Sequence, residues 1–379
     1  MNVLIAGDFC PHNRVAKCFE LKDYSVVLRE LREITKSHDY SLVNFECPIV
    51  DSVDKECAPI IKQGPNLCCK PTAADAIKYA GFNCVTLANN HFRDYGDYGC
   101  KSTIDVCHSL DIETIGGGRN LDEAQQVLYK SIGGKKIAFI NCCEHEFSIA
   151  TKNQAGSAPL ELIDLYHIIT NAKSNADIIM VITHGGREYT QYPSPRLQKT
   201  YRWLIDVGAD VVINHHQHCY SGYELYKSKP IFYGLGNLCF DEDRVMSDIW
   251  YEGYMVSFRF QNDISFELIP YIQCKEDPTI HIMNKDKRTS FFFNIERING
   301  IISDPQLLYK EFESFSKTKF LTIDSVLSPY SSRLGLGLFK RGLLPSFISK
   351  QKLIHLQNIV ECEARRDELE LYFKLNLNE

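Results

Sequence analysis

The chain has 379 residues, 44% of them hydrophobic, and a formal net charge of −6 at pH 7. That is enough apolar content for one large core or two modest ones, and the acidic balance lacks the footprint of a nucleic-acid binder, so no nucleic-acid partner is expected. The start, Met1-Asn2-Val3-Leu4-Ile5-Ala6-Gly7-Asp8, carries no signal-peptide pattern, and no apolar run approaches the roughly 20 residues of a membrane helix, so the expected location is cytoplasmic.

Short runs rich in β-branched and aromatic residues recur at 3–6, 41–45, 84–88, 136–140, 178–183, 211–213 and 231–235. Most lack strict alternation, as strands buried on both faces do. Helical spacing fills the intervals at 72–79, 160–173 and 195–207, with glycines between the units. Strand and helix in alternation predict an α/β layered fold. Residues 254–260 and 264–269 alternate around Asn262-Asp263 and predict an antiparallel hairpin. Helices are expected at 306–317 and 352–373. The expected division is a first domain over 1–290 and a helical C-terminal appendage over 291–379. Fifteen cysteines, an odd number with no Cys-x-x-Cys pair, read as free thiols in a reducing compartment.

Residues 331–352 hold Arg333, Lys340, Arg341, Lys350 and Lys352 and no acid, with Leu, Phe and Ile interleaved. Two readings stand: a segment that touches a membrane surface or biosynthetic enzymes, or a loop and short helices closing over the core.

Five segments share one design, an apolar strand followed by ligand-type residues. Gly7-Asp8 ends the first, with Gly7 read as giving Asp8 a tight turn. Asn44-Phe45-Glu46-Cys47-Pro48 ends the second. Asn89-Asn90-His91, then Arg93-Asp94-Tyr95-Gly96, ends the third. His184-Gly185-Gly186, then Glu188-Tyr189, ends the fourth. Asn214-His215-His216-Gln217-His218 ends the fifth, and the spacing of His216 and His218 can place two imidazoles around one ion. In a parallel sheet such ends open onto one edge, where ligands gather. Alone, each residue has a plainer role: Asp8 as a cap, Asn89-Asn90 as a turn pair, His91 and His184 as hydrogen-bonded core histidines. Together, carboxylate, amide and imidazole groups suit one or two divalent ions of the Mn, Fe, Zn or Mg type.

The ordered set Gly-Asp, Asn-Phe-Glu-x-Pro, Leu-Ala-Asn-Asn-His-x-x-Asp-x-Gly, His-Gly-Gly-x-Glu-Tyr and His-His-x-His-x-x-x-Gly-x-Glu resembles the CapA family. These are capsule and poly-γ-glutamate biosynthesis proteins within the calcineurin-like metallophosphoesterase superfamily. Residues 231–241 are similar to its last motif, and the likeness runs to about residue 270. The resemblance implies a metallophosphoesterase-like sheet sandwich flanked by helices. It further implies that Asp8, Glu46, Asn90, His184, His216 and His218 bind metal, with Glu46 as the bridging carboxylate. His91 would face the substrate and Asp94 would hold its imidazole. Cys10 stands where the wider superfamily has a histidine, which leaves open whether one or two ions bind; His12 is the nearest substitute.

The leading expectation is hydrolysis of a phosphoester by a metal-activated water, on a small-molecule or polymer-precursor substrate in capsule or surface-polymer biosynthesis. His91 would protonate the leaving oxygen. Arg93 and Arg187 are candidates for a phosphate clamp or for surface salt bridges. Glu188 and His215 are candidate substrate contacts, His215 otherwise a packing neighbour. Two alternatives stand beside this: a component acting on amide or acyl bonds of poly-γ-glutamate or a polysaccharide, and a non-catalytic binding module on the same fold.

Overall fold

Strand β1 (Asn2–Phe9) shows why the apolar runs lack alternation. Val3 and Ile5 point into one apolar cluster, Leu4 and Ala6 into another. Both faces of the strand are buried, so neither carries polar residues. The molecule is seen here as a computed structural model, which describes residues 1–51, 57–62, 64–261, 263–320, 327, 329–330, 332–361 and 373. The chain divides into two compact units, Met1–Phe312 and Glu313–Glu379.

The first unit holds two main sheets among the described residues. In the first, β1 lies beside β2 (Tyr40–Phe45), then β3 (Cys84–Thr86) and β4 (Glu113–Ile115), all parallel. On its other side β1 pairs antiparallel with β14 (Glu252–Phe260), which leads to β15 (Ile264–Gln273) and β16 (Ile280–Ile282). The expected hairpin is the β14–β15 pair, and its Asn262 lies outside the described residues. The short β13 (Asn237–Cys239) also pairs with β1, setting Asn237 opposite Asp8.

The second sheet runs β11 (Tyr223–Tyr226), β12 (Lys229–Phe232), β10 (Val211–His215), β9 (Ile178–His184), β7 (Lys135–Cys143), β6 (Leu128–Ile132). Its four central strands are parallel and its two edges antiparallel. The short β5 (Gly117–Gly118) and β8 (Gly156–Ser157) pair apart from both sheets.

Val3, Ile5 and Leu42 from one sheet share a cluster with Phe139, Val181 and Val212 from the other. The outer face of the first sheet is covered by helices 13–20, 24–35, 72–80 and 96–109, through residues such as Phe19, Leu28 and Ile77. Helices 162–173 and 195–207 contribute Leu165, Ile169 and Leu204 to the cluster of the second sheet. This is the α/β layered fold that the pattern predicts, with the sheet sandwich and flanking helices that the resemblance implies. The site-bearing strand ends come from two sheets, however, and not from one parallel edge.

The expected boundary at residue 290 falls inside helix Lys285–Ser303. Its Phe291, Ile295, Ile298 and Ile302 are buried in the first unit, with Phe291 4.9 Å from the Tyr220 ring. The break comes after Phe312 instead. The second unit contains helices Arg333–Lys340 and Lys350–Glu361. Most of the expected helix beyond 361 lies outside the described residues. No helix among the described residues is long and apolar enough to cross a membrane.

Candidate metal centre

The C-terminal ends of the central strands of both sheets converge. Asp8 sits near the end of β1 without the tight turn expected of Gly7, because the strand continues to Phe9. Gly7 is required for a different reason. The Gly236 carbonyl oxygen would lie 2.0 Å from a Cβ at position 7, so only glycine lets the two backbones approach. That approach carries the Asp8 N–H to Gly236 O, 3.1 Å, and brings Asn237 alongside.

Beyond β3, the Asn89 side chain donates to Phe45 O at 2.9 Å and accepts from the His91 N–H at 3.1 Å. This side-chain turn fixes Asn90 and His91 against the end of β2. At the end of β10, Asn214 donates to Gly185 O and Tyr233 O and accepts from Thr183 Oγ1 and the Tyr201 hydroxyl. Past this anchor, His216 and His218 adopt left-handed backbone, φ 100° and 54°. Non-glycine residues adopt this at a cost of about 1–3 kcal/mol, borne only where the surroundings hold it. The two turns let both rings enter the same cleft.

There the side chains form two triads around one shared carboxylate. Asp8, Glu46 and His218 offer ligand atoms within 4.8 Å of one another, and so do Glu46, His184 and His216. Glu46 Oε1 lies 3.5 Å from His218 Nε2 and 3.6 Å from His184 Nε2. Asn90 Oδ1 is 3.0 Å from His184 Nε2, and His216 Nδ1 is 3.0 Å from the same nitrogen. Asp8 Oδ1 accepts from Asn44 Nδ2 at 2.7 Å, and Asp8 Oδ2 lies 3.7 Å from His218 Nδ1. All six of these ligand-type residues are buried.

The electrostatics fit a cation. Glu46 Oε1 and Oε2 and Asp8 Oδ2 are buried without a hydrogen-bond donor among the described residues, and unpaired buried polar atoms are costly. Burial, with the charges of Asp8, Glu188, Asp94 and Glu146, pushes the Glu46 carboxyl well above its ordinary range. Burial also raises Asp8, but His215 and His218, with the Asn44 hydrogen bond, outweigh it and hold the carboxyl low. His184 is pushed well below the usual imidazole range by burial and by the histidines around it, and His216 is lowered by burial and His218. Neutral imidazoles facing buried carboxylates are the donor set that divalent first-row ions accept.

His91 and Asp94 form a pair beside the triads. His91 Nδ1 donates to Asp94 Oδ2 at 2.7 Å, and Asp94 Oδ2 also accepts from the Leu67 N–H at 2.7 Å. Lys62 Nζ approaches Asp94 Oδ1 at 2.5 Å and His91 Nδ1 at 3.2 Å, with only 2% of its side chain exposed.

Residues 2–242 match the family described as bacterial capsule synthesis protein PGA_cap. The chain belongs to this family. Among relatives, the capsule biosynthesis protein CapA of Bacillus anthracis is 33% identical over 248 residues, 64% of this chain and 60% of that protein. The PGA biosynthesis protein CapA of Bacillus subtilis is 30% identical over 251 residues, 64% of each chain. This chain thus spans less than two thirds of the length of either relative. Among solved structures, a novel phosphatase from Mycoplasma pneumoniae overlaps 78% of this chain and 98% of its own, at 13% identity and a TM-score of 0.45.

Within this family member the remaining candidate residues fall outside the ligand triads. His215 is buried, its Nδ1 3.2 Å from Asp8 Oδ1, so it braces Asp8 and has no open face for a substrate. Arg93 is held in the fold: its Nε donates to Ala155 O at 2.9 Å and its Nη2 to Asp97 at 3.1 Å. Arg187 is exposed and Glu188 half-buried. The Glu188 charge helps raise both Glu46 and the neighbouring Tyr189, the latter pushed up to about 12, mainly by burial. His12 does not join the ligands: its Nε2 lies 3.1 Å from Cys10 Sγ and its ring stacks on Phe240. Burial pushes the Cys10 thiol up to about 12, so it adds no charge to the site.

Three further residues support the ligands. Asn237 accepts from His218 Nδ1 at 2.9 Å and donates to His218 O at 3.1 Å, leaving Nε2 as the ring atom that faces Glu46. Asn44 orients Asp8. Both lie within the family-like motifs, Asn44 in β2 and Asn237 at the start of β13. Lys62 lies in the loop between β2 and the next helix, and its sequence context carries no signal.

Proposed function

We propose that this chain is a metal-dependent hydrolase that cleaves a phosphoester on a small-molecule or polymer-precursor substrate of surface-polymer synthesis. The observation that carries the reading is Glu46, a buried carboxylate with two unpartnered oxygens shared by two ligand triads, with the His91–Asp94 pair alongside. Asp8, Glu46 and His218 would hold one ion; Glu46, His184, His216 and Asn90 would hold the other. Bound divalent ions supply a nucleophile at neutral pH and neutralise charge on phosphoryl oxygens. Asp94 accepts the His91 Nδ1–H and supports the doubly protonated ring against the burial that lowers it, and the Nε2–H of that imidazolium would deliver the proton to the leaving oxygen. Lys62, paired with Asp94 Oδ1, holds that side chain in place. The family description and the names of the Bacillus relatives supply the polymer context.

Those same names support a second reading, action on an amide or acyl bond of poly-γ-glutamate. Elemental analysis of the purified chain, followed by a panel of aryl phosphomonoesters, phosphodiesters and γ-glutamyl amides, separates the two. The first reading expects stoichiometric metal and phosphoester turnover. Asp8→Ala and His184→Ala should lose metal, whereas His91→Ala should keep it and lose turnover by roughly 10²–10⁴-fold. Metal with γ-glutamyl cleavage alone would transfer the assignment to the second reading. A chain that takes up no metal would overturn both.

A further inference from the structure

The second unit carries a cationic, apolar segment that the metal centre does not use. Residues 332–352 hold Arg333, Lys340, Arg341, Lys350 and Lys352 and no acid, in a chain whose net charge is −6. Among the described residues none of these five cations has an ion-pair partner; Lys352 Nζ reaches only the Leu327 carbonyl, at 3.5 Å. Large apolar side chains lie between and just beyond them with exposed surfaces: Leu334, Leu343, Phe347, Leu353 and Ile354.

This arrangement is built by the local fold. Ser332 caps helix Arg333–Lys340, its hydroxyl accepting from the Gly335 N–H at 3.0 Å. The helix stops at Gly342, in left-handed backbone with φ 72°; Gly342 N–H donates to Phe339 O and Leu343 N–H to Leu338 O. This two-bond ending reverses the chain immediately after Lys340-Arg341. It leaves both cations at the negative end of the helix dipole. Tyr330 braces the turn, with its ring 5.7 Å from Phe339 and 6.0 Å from Phe347 and its hydroxyl donating to Pro345 O at 3.0 Å. The turn so fixed leaves Leu343 and Phe347 exposed beside the cations.

We infer that residues 332–354 form a docking surface for an anionic lipid bilayer. Cations of one sign interleaved with exposed Leu, Ile and Phe match the two layers of a membrane interface, anionic headgroups above and acyl chains just beneath. A bilayer demands no shape match, only cations and apolar side chains exposed together, as they are here. The interleaving of cations with exposed Leu, Phe and Ile, which charge attraction to a second net-acidic copy does not require, is what favours lipid.

The test is co-sedimentation of the full chain with vesicles of phosphatidylcholine alone and of phosphatidylcholine with about one third phosphatidylglycerol. Binding is expected only to the anionic vesicles, weakening as salt rises from about 0.1 to about 0.5 M. Arg333→Gln, Lys340→Gln and Arg341→Gln together should lower the partition coefficient roughly 100-fold. Leu343→Ser with Phe347→Ser should lower it at least roughly tenfold, through lost apolar insertion. These sites are on the surface, and unchanged thermal melting of each variant keeps the comparison clean. Equal sedimentation of wild type and the triple variant, or no preference for anionic vesicles, would overturn the inference. So would a concentration-dependent dimer, seen by analytical ultracentrifugation, that the Leu343→Ser and Phe347→Ser changes abolish, because the face would then belong to a second copy.

Discussion

Glu46→Gln probes the centre at the one ligand both triads share, and its effect should change sign with metal. The Glu46 carboxyl is fully buried, 3.5 Å from His218 Nε2 and 3.6 Å from His184 Nε2, and neither oxygen accepts a hydrogen bond. An unsatisfied buried polar group costs about 1–3 kcal/mol. Glutamine keeps the volume, removes the charge and brings an amide N–H toward the imidazole nitrogens. The metal-free variant should therefore be more stable than wild type by about 1–2 kcal/mol. For a unit of 312 residues, an unfolding entropy of about 2.1 cal/mol/K per residue makes 1 kcal/mol worth about 1.5 °C, so the melting temperature in chelator should rise by about 1.5–3 °C. With saturating Mn the order should reverse, because wild type gains binding free energy and the variant loses a ligand from both triads at once. His218→Ala and His216→Ala, which each touch one triad, should leave a partial metal-induced shift. Differential scanning calorimetry in chelator and in Mn reads all four cases. A Glu46→Gln protein that keeps the full Mn-induced rise, and melts no higher than wild type in chelator, would refute the shared-carboxylate geometry.

Three further outcomes follow from the same contacts. Lys62→Met strands the buried Asp94 carboxylate and should cost about 3–5 kcal/mol in urea unfolding; adding Asp94→Asn should recover most of it, and no recovery would show that the two are not paired. Asn237→Ala removes the group that orients His218 and should weaken metal binding by roughly 10–100-fold in calorimetric titration, with unchanged affinity as the contrary result. In metal-free protein, His184 and His216 sit below their ordinary value of 6.5, so the unfolded chain takes up protons first and stability should fall as pH drops below about 6.5. Glu46 works the other way. Its raised value means that its contribution is complete below 4.5 and is lost as pH climbs through the folded value. In urea midpoints against pH, Glu46→Gln should therefore remove the decline that runs upward from 4.5, and so steepen the acid-side fall that the histidines cause.

What was readable in the chain, and what was not, divides by the distance over which each residue acts. Asp8, Glu46, Asn90, His184, His216 and His218 each follow their own apolar strand, so local pattern and residue type suffice to single them out, and the structure brings all six together. That they approach from two sheets is not a local property; it depends on β1, β2 and β3 facing β9 and β10 across the shared core. Gly7 was singled out for a turn because its close neighbour, Gly236, lies far along the chain and cannot be seen from position 7. Helix 96–109 has no clear pattern in the sequence because it carries Gly96, Gly99 and several β-branched residues, weak helix formers that packing overrides. Lys62 is the most instructive case. A lysine in an unpatterned loop is nearly always solvated, yet here loop closure buries it against Asp94. A buried lysine persists only where a paired charge compensates its desolvation, so Lys62 and Asp94 hold one another in the fold. Asp94, so held, is the acceptor that turns the His91 Nδ1 inward. The loop residue that no motif marks thus bears on the catalytic reading as directly as the histidine that every motif marks.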